Sequence, residues 1–228
     1  MYRTLVLYVL HQDNDRVHHF LRHAIFNDEN TDFVIIINDP DIVLRDVPDH
    51  VRVISRSNVG YDFGGWSDAL EQIDLNHYDY FVFVNSSVWG PFLSEHPGKQ
   101  WTDIYIDGLR GNIKLFGSTI NTAIRPHVQS YIFAIDRQTL RYLMDVHIFS
   151  TKHYAASFQD AIMSKEVEMS NKIIQKGWNI GSLLRLYKDI DFTRDSYPHY
   201  DDVMYPAYRD TLWTSDEVVF IKGNRFGH

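Results

Sequence analysis

Three segments carry side chains whose types and spacing can do chemistry. The first is NVGYDFGGW at 58–66, which sets Asn58, Tyr61, Asp62 and Trp66 among glycines at 60, 64 and 65. Glycines ahead of a helix let backbone approach a ligand, and helix N-termini favour anions. Asp62 repels a phosphate but accepts hydrogen bonds from a sugar or a base. The run is neither G-x-G-x-x-G nor G-x-x-x-x-G-K-[ST], so neither a Rossmann dinucleotide site nor a P-loop is supported. It also reads as a tight strand-to-helix turn with Trp66 in the core.

The second segment is NSSVWGPF at 85–92, directly after the apolar FVFV. A metal-dependent sugar transferase places acidic residues at such a strand end, to hold Mg²⁺ or Mn²⁺ against a diphosphate through oxygen ligands. Asn85, Ser86 and Ser87 stand there instead. They donate and accept hydrogen bonds but bind a cation weakly, with Asn85 and Ser87 as the candidate ligands. The third segment is EVEMSNKIIQKGWNI, from Glu166. Glu166 and Glu168 are two apart, so on a helix they point to different sides and only one can face a cleft. A carboxylate in that cleft can take a proton from an acceptor hydroxyl; two solvated glutamates are the alternative.

Other polar groups are weaker candidates. His19 and His23 are four apart, but no H-E-x-x-H and no acidic third ligand accompany them. His199 with Asp201 and Asp202 reads as a charged loop. His127 and Gln129 precede a strand and are polar where the core is near, so they are candidates to face substrate. Trp89 and Trp101 can stack on a sugar ring or pack as core. Residues 93–112, with Trp101, Asp103 and Asp107, are expected to shape the acceptor side. No G-x-S-x-G elbow occurs, which leaves a serine hydrolase unsupported.

The chain that must position these groups has 228 residues, 44% hydrophobic and 14% aromatic, as expected of one globular domain rather than a disordered chain. Its net charge of -8 argues against nucleic acid as a partner while allowing a small phosphorylated ligand. With no cysteine, disulfides, thiolate zinc sites and a cysteine nucleophile are excluded. The longest apolar runs are far shorter than the ~20 residues a membrane span needs. No small-residue cleavage site follows the first apolar run, so a soluble, cytoplasmic protein is expected.

Buried strands are predicted at 5–10, 32–39, 51–56 and 78–87, with helices over 15–26 and from Ser67, a possible cap. This β-α-β-β-α-β order predicts an α/β fold with a mostly parallel twisted sheet flanked by helices. In such sheets ligands bind beyond the carboxyl ends of the strands. The residues there are Tyr8 to His11, Asn38–Asp39, Arg56–Asp62 and Asn85–Ser87. Further strands are predicted at 114–121, 130–136 and over NIGSLLRLY, with helices at 137–146 and 165–177, the latter ended by Gly177.

Taken in order, NVGYDFGGW, YDYFVFVNSSVWGPF, HVQSYIFAID, EVEMSNKIIQKGWNIG and the terminal EVVFIKGNR resemble the rhamnan-synthesis-type glycosyltransferases. They also resemble the small glycosyltransferase domain of proteins from chlorella-infecting viruses. The resemblance covers roughly residues 1–225. It implies a single GT-A-like domain over 1–228, with a nucleotide-sugar-binding half at 1–92 and an acceptor-binding and catalytic half at 93–228. It implies a viral source as well. Tyr8, His11, Asp39 and Arg56 would lie near the nucleotide, and Asn58, Tyr61, Asp62 and Trp66 near the base, ribose or diphosphate. The D-x-D position of GT-A enzymes falls on Asn85-Ser86-Ser87, a departure in which both usual aspartates are absent. A bound Mn²⁺ or Mg²⁺ would then take the diphosphate as a major ligand.

EVEMS also resembles the E-D-x-x-L-S helix of inverting GT-A enzymes, with Met169 and Ser170 on the L-S pair and Glu166 on the catalytic base. Glu168 is second choice. The implied activity is inverting transfer of a hexose such as rhamnose from a nucleotide-diphosphate donor, UDP-linked, to a glycan hydroxyl. A module that binds nucleotide or glycan without turnover is the alternative.

Overall fold

The computed structural model describes residues 2–194 and 196–225. It opens with β1 (Thr4–Leu10), α1 (Asp15–His23), β2 (Thr31–Ile37), β3 (Arg52–Ser55), α2 (Tyr61–Glu71) and β4 (Tyr80–Asn85), the expected order. Then follow β5 (Val88–Trp89), α3 (Trp101–Gly108), β6 (Ile113–Gly117), β7 (Ile120–Asn121), β8 (His127–Val128), β9 (Ile132–Asp136) and α4 (Arg137–Asp145). Next are α5 (Phe158–Asp160), a π-helical stretch over Ala161–Val167, α6 (Glu168–Gln175), β10 (Asn179–Ser182), α7 (Ser215–Val218) and β11 (Ile221–Lys222).

Seven strands form one sheet in the order β10-β6-β9-β4-β1-β2-β3. β1 pairs in parallel with β2 and β4, and β2 with β3. β9 runs antiparallel between β4 and β6, while β10 is parallel to β6. The class is the expected one: mixed α/β, mostly parallel. Both faces of the sheet are covered, which is why β1 and β2 read as continuous apolar runs. Leu5, Leu7, Val9, Phe81, Phe83 and Phe133 face a core with Phe63 and Trp66 of α2, Leu140 and Leu143 of α4 and Ile173 of α6. Val6, Tyr8, Leu10, Val82 and Val84 face the opposite core, with Phe20 of α1 and Trp101 and Tyr105 of α3.

Two predicted elements are corrected. NVGYDFGGW is not a turn before a helix that starts at Ser67. α2 begins at Tyr61, and the Ser67 hydroxyl donates to the Phe63 carbonyl at 2.6 Å instead of capping. Gly65 serves close packing of this helix: a Cβ there would stand 2.8 Å from Asn38 Oδ1 and 2.9 Å from Val9 Cγ2. NIGSLLRLY is a strand only over Asn179–Ser182, after which Arg185–Tyr187 turns as a 3₁₀ helix. No helix of the described residues is long and apolar enough to cross a membrane.

Candidate functional site

Because β1 to β4 are parallel, their C-terminal ends share one edge, and β9 returns antiparallel so that its entry joins them. The backbone N–H of Asn85 donates to the Tyr131 carbonyl at 3.0 Å, and that of Ser86 to the Val9 carbonyl at 2.9 Å. A cleft of about 370 Å³ opens along this edge. His11 and Gln12 beyond β1, Asn14 and Arg16 at the start of α1, and Asn85, Ser86 and Ser87 beyond β4 form one wall. Asn58, Tyr61 and Asp62 form another, and Ser130, Glu166 and Lys222 close it.

The entry to α2 is shaped by backbone geometry. Gly60 and Tyr61 both take left-handed φ, 77° and 58°. That conformation is natural for glycine and strained for tyrosine, so neighbouring contacts must hold it. Asn38 supplies them by donating to the Tyr61 carbonyl at 3.0 Å and to Asn58 Oδ1 at 3.2 Å. Arg56 in turn donates to Asn38 Oδ1 at 2.9 Å and to the Val59 carbonyl at 2.7 Å, and pairs with Asp68 at 2.6 Å. The turn therefore presents Asp62 to the cleft, where its Oδ2 accepts from the Asn85 side-chain amide at 2.9 Å.

Burial pushes the Asp62 carboxyl up from its ordinary range, and the Glu166 charge adds to this. The hydrogen bond from Asn85 and the electrostatic influence of His11 and Lys222 oppose it. A carboxyl whose folded pKa lies above its unfolded value favours folding at low pH and loses that contribution as pH rises toward the folded value. Asp62→Asn is therefore expected to be more stable than the parent at neutral pH. The difference should close as pH falls through the ordinary carboxylate range of about 4, which denaturant melts across pH would measure.

Glu166 enters from the other side, on the π-helical stretch. π-helical turns widen the backbone and occur often at functional sites. The preceding Lys165 is 5% exposed, and its ammonium donates to the carbonyls of His147 at 2.7 Å and Ile148 at 3.1 Å. This anchor buries Lys165 on one side while Glu166 faces the cleft. Glu166 Oε2 accepts from the backbone N–H of Ser130 at 2.7 Å and from its hydroxyl at 2.5 Å. His127 Nε2 lies 3.7 Å from Oε1. Ser170, one turn further on, accepts from the Val128 N–H at 3.0 Å and so ties α6 to the strand that leads to Ser130.

Of the expected site residues, His11, Asn58, Tyr61, Asp62, Asn85, Ser86, Ser87 and Glu166 line this cleft, and His127 stands behind Glu166. The others lie elsewhere. Glu168 turns away to Lys172 at 3.2 Å and Asn171 at 2.9 Å. Tyr8 is inside the core, stacked on Phe20 with ring centroids 3.9 Å apart. Trp66 is fully buried, its indole N–H donating to the Leu7 carbonyl at 3.2 Å. Trp101 is buried against the Ala24 carbonyl at 2.8 Å.

Arg56 organises the loop behind the cleft, and Asp39 accepts from the Asp41 N–H at 3.0 Å. Trp89 pairs with Ile221 between β5 and β11, with His19 against its ring. Gln129 accepts from Thr119 at 2.8 Å. Residues 93–112 include α3, on which Asp103 takes the Tyr2 hydroxyl and Asp107 pairs with Lys99. The sequence reasoning missed Arg16 and Lys222. Only their arrival at one edge from α1 and β11 marks them.

Asp62 is the carboxylate beside the Asn85-Ser86-Ser87 turn, and its Oδ2 is already bonded to Asn85. Asn85 Oδ1 accepts from Ser87 N–H at 3.0 Å and Ser87 Oγ at 2.5 Å, so the amide oxygen is engaged, while the Ser87 hydroxyl keeps its lone pairs. Among the described residues no three His, Cys, Asp or Glu gather to hold a metal. On their own these residues supply few oxygen ligands for Mn²⁺ or Mg²⁺, so a cation held here would take the diphosphate and water as further ligands.

The rhamnan synthesis protein F family model matches residues 38–228. The virulence protein VirA of Vibrio anguillarum is 27% identical over 131 residues, 54% of this chain and 37% of VirA. The chain thus spans little more than a third of that relative's length. Among solved structures, a cytidylyltransferase from Leptospira borgpetersenii is similar at 10% identity and a TM-score of 0.41, covering 95% of this chain and 90% of that one. The catalytic domain of Drosophila beta1,4-galactosyltransferase 7 is 10% identical, covering 82% and 66%, with a TM-score of 0.40. A glycosyltransferase involved in glycosylation of the major capsid of PBCV-1 is 14% identical, covering 70% and 74%, with a TM-score of 0.38. With most of its length matched by one family model, and with the motifs that resemble that family gathered largely around one cleft, the chain belongs to the rhamnan synthesis protein F family.

Proposed function

We propose that this chain is an inverting glycosyltransferase of GT-A type. It moves a sugar, rhamnose or another hexose, from a nucleoside-diphosphate donor, UDP-linked, to a hydroxyl of a glycan. The observation that carries the proposal is the placement of one oriented carboxylate, Glu166, in the same cleft as the polar ends of β1 and β4. The donor lies along the strand ends in the 1–92 half. Tyr61, with the exposed Phe158 6.2 Å from its ring, offers an aromatic pair at the cleft mouth for a base or a sugar. The acceptor enters from the 93–228 half beside Glu166.

In the reaction, the acceptor oxygen attacks the anomeric carbon from the face opposite the leaving group. Glu166 removes the acceptor's proton as the new bond forms. The bond from the anomeric carbon to the diphosphate oxygen breaks, and its electron pair leaves with the nucleoside diphosphate. Ser130, donating twice to Oε2, fixes the carboxylate so that Oε1 is the oxygen left for the proton.

A thermal-shift panel of nucleotide sugars tests the proposal, since a ligand bound only by the folded state raises apparent stability. One donor class is expected to raise the melting temperature, and that donor should then be consumed with a glycan acceptor. Stabilisation without turnover on any acceptor would favour a binding module instead. Release of free sugar alone would favour a phosphohydrolase or donor hydrolase.

A further inference from the structure

We propose, building on the nucleotide-sugar reading of the cleft, that Arg16 and Lys222 supply the positive charge that meets the donor's diphosphate, so that transfer proceeds without a divalent cation. The two side chains come from opposite ends of the chain and line the same cleft as Ser86 and Ser87. Arg16 is locked there. Its Nε donates to the Ser86 carbonyl at 3.1 Å, which leaves the two terminal guanidinium nitrogens for another acceptor. Gly223, next to Lys222, packs on it so closely that a Cβ would stand 2.9 Å from Arg16 Cδ and 3.1 Å from Nε. The Gly223 N–H donates to the Ser87 carbonyl at 2.5 Å. The turn after β4, the start of α1 and the end of β11 are thereby fastened around one corner.

Among the described residues neither cation forms an ion pair with a carboxylate. Both are half-buried, in a chain whose net charge is -8. Partial burial of unpaired cations is unfavourable unless a counter-ion completes the site. Asp62, the carboxylate at this corner, feels the Lys222 charge but makes its hydrogen bond to Asn85. A ligand anion can complete the site. A diphosphate fits by charge and by geometry, since a guanidinium binds phosphate oxygens in a fork and an ammonium as a point charge. As the bond to the anomeric carbon breaks, one further negative charge collects on the departing diphosphate. Cations already in place stabilise it without reorganisation.

The test is titration calorimetry with a set of nucleoside diphosphates and the matching nucleosides, in EDTA and again with Mn²⁺. The best diphosphate is expected to bind in EDTA, with Mn²⁺ changing its affinity little. Arg16→Met and Lys222→Met should each weaken it about tenfold or more, the size of a lost charge-assisted bond, and leave the nucleoside's affinity unchanged. Gly223→Ala, which keeps both charges and displaces Arg16, should weaken the diphosphate in the same direction, with circular dichroism confirming that all three variants fold. Binding that requires Mn²⁺, or equal affinities in parent and variants, overturns the charge assignment while the nucleotide-sugar reading stands. Binding of no diphosphate under either condition overturns both.

Discussion

Glu166→Gln is expected to lower the rate of sugar transfer about 10²- to 10⁴-fold, the range that general-base assistance contributes. Gln is nearly isosteric with Glu, and its amide oxygen can take the place of Oε2 and accept both bonds from Ser130, at 2.7 Å and 2.5 Å in the parent. The fold and the cleft should therefore survive, and donor affinity should change little. What is lost is the proton acceptor, so the deficit belongs in kcat. Steady-state rates, with donor binding measured in parallel, check both points. A variant that transfers sugar at the parent's rate assigns the base elsewhere.

Trp66→Ala is expected to destabilise the chain by about 3–5 kcal/mol, as for large aromatic residues removed from packed cores. Trp66 is fully buried on α2. Its ring packs edge-on to Phe63, Phe83 and Phe133 at centroid distances of 5.1, 5.4 and 5.6 Å. Its indole N–H holds the Leu7 carbonyl of β1. Truncation opens a cavity between helix and sheet and loosens the helix whose first turn carries Asp62. Trp66→Phe keeps most of the apolar contact and should cost markedly less. Urea denaturation of the two variants measures the difference. A small loss for Trp66→Ala together with a large loss of donor affinity would return Trp66 to the ligand.

The contrast between Glu166 and Trp66 shows what was legible in the chain and what was not. Continuous apolar runs such as LVLYVL announce buried strands, because a sheet covered on both faces removes the usual alternation. The strand order then places Asn85 and His11 at a common edge without further information. Helix geometry separates Glu166 from Glu168 but does not say which one faces in. The buried anchor of Lys165 on the His147 and Ile148 carbonyls decides it, and nothing in local periodicity predicts a π-helical register.

NVGYDFGGW misleads because its glycines suggest a turn. Gly60 starts a helix through a left-handed residue, while Gly65 lets that helix lie close on β1 and β2. Aromatic residues likewise divide by burial rather than by type. Trp66 and Trp101 are core, whereas Tyr61 and Phe158 reach the cleft. The Arg16–Lys222 corner is hidden for a different reason: it depends on β11 returning antiparallel to β5, a pairing of two residues on each side.

A crystal structure with the nucleoside diphosphate that most stabilises the chain bears most directly on how this cleft works. The diphosphate should rest against Arg16, Lys222 and the turn at Ser86–Ser87, with Glu166 facing the open position beyond its terminal phosphate, where the sugar would sit. A nucleotide bound outside this cleft, or one whose base covers the Glu166 carboxylate and leaves no path for an acceptor hydroxyl, would contradict the account.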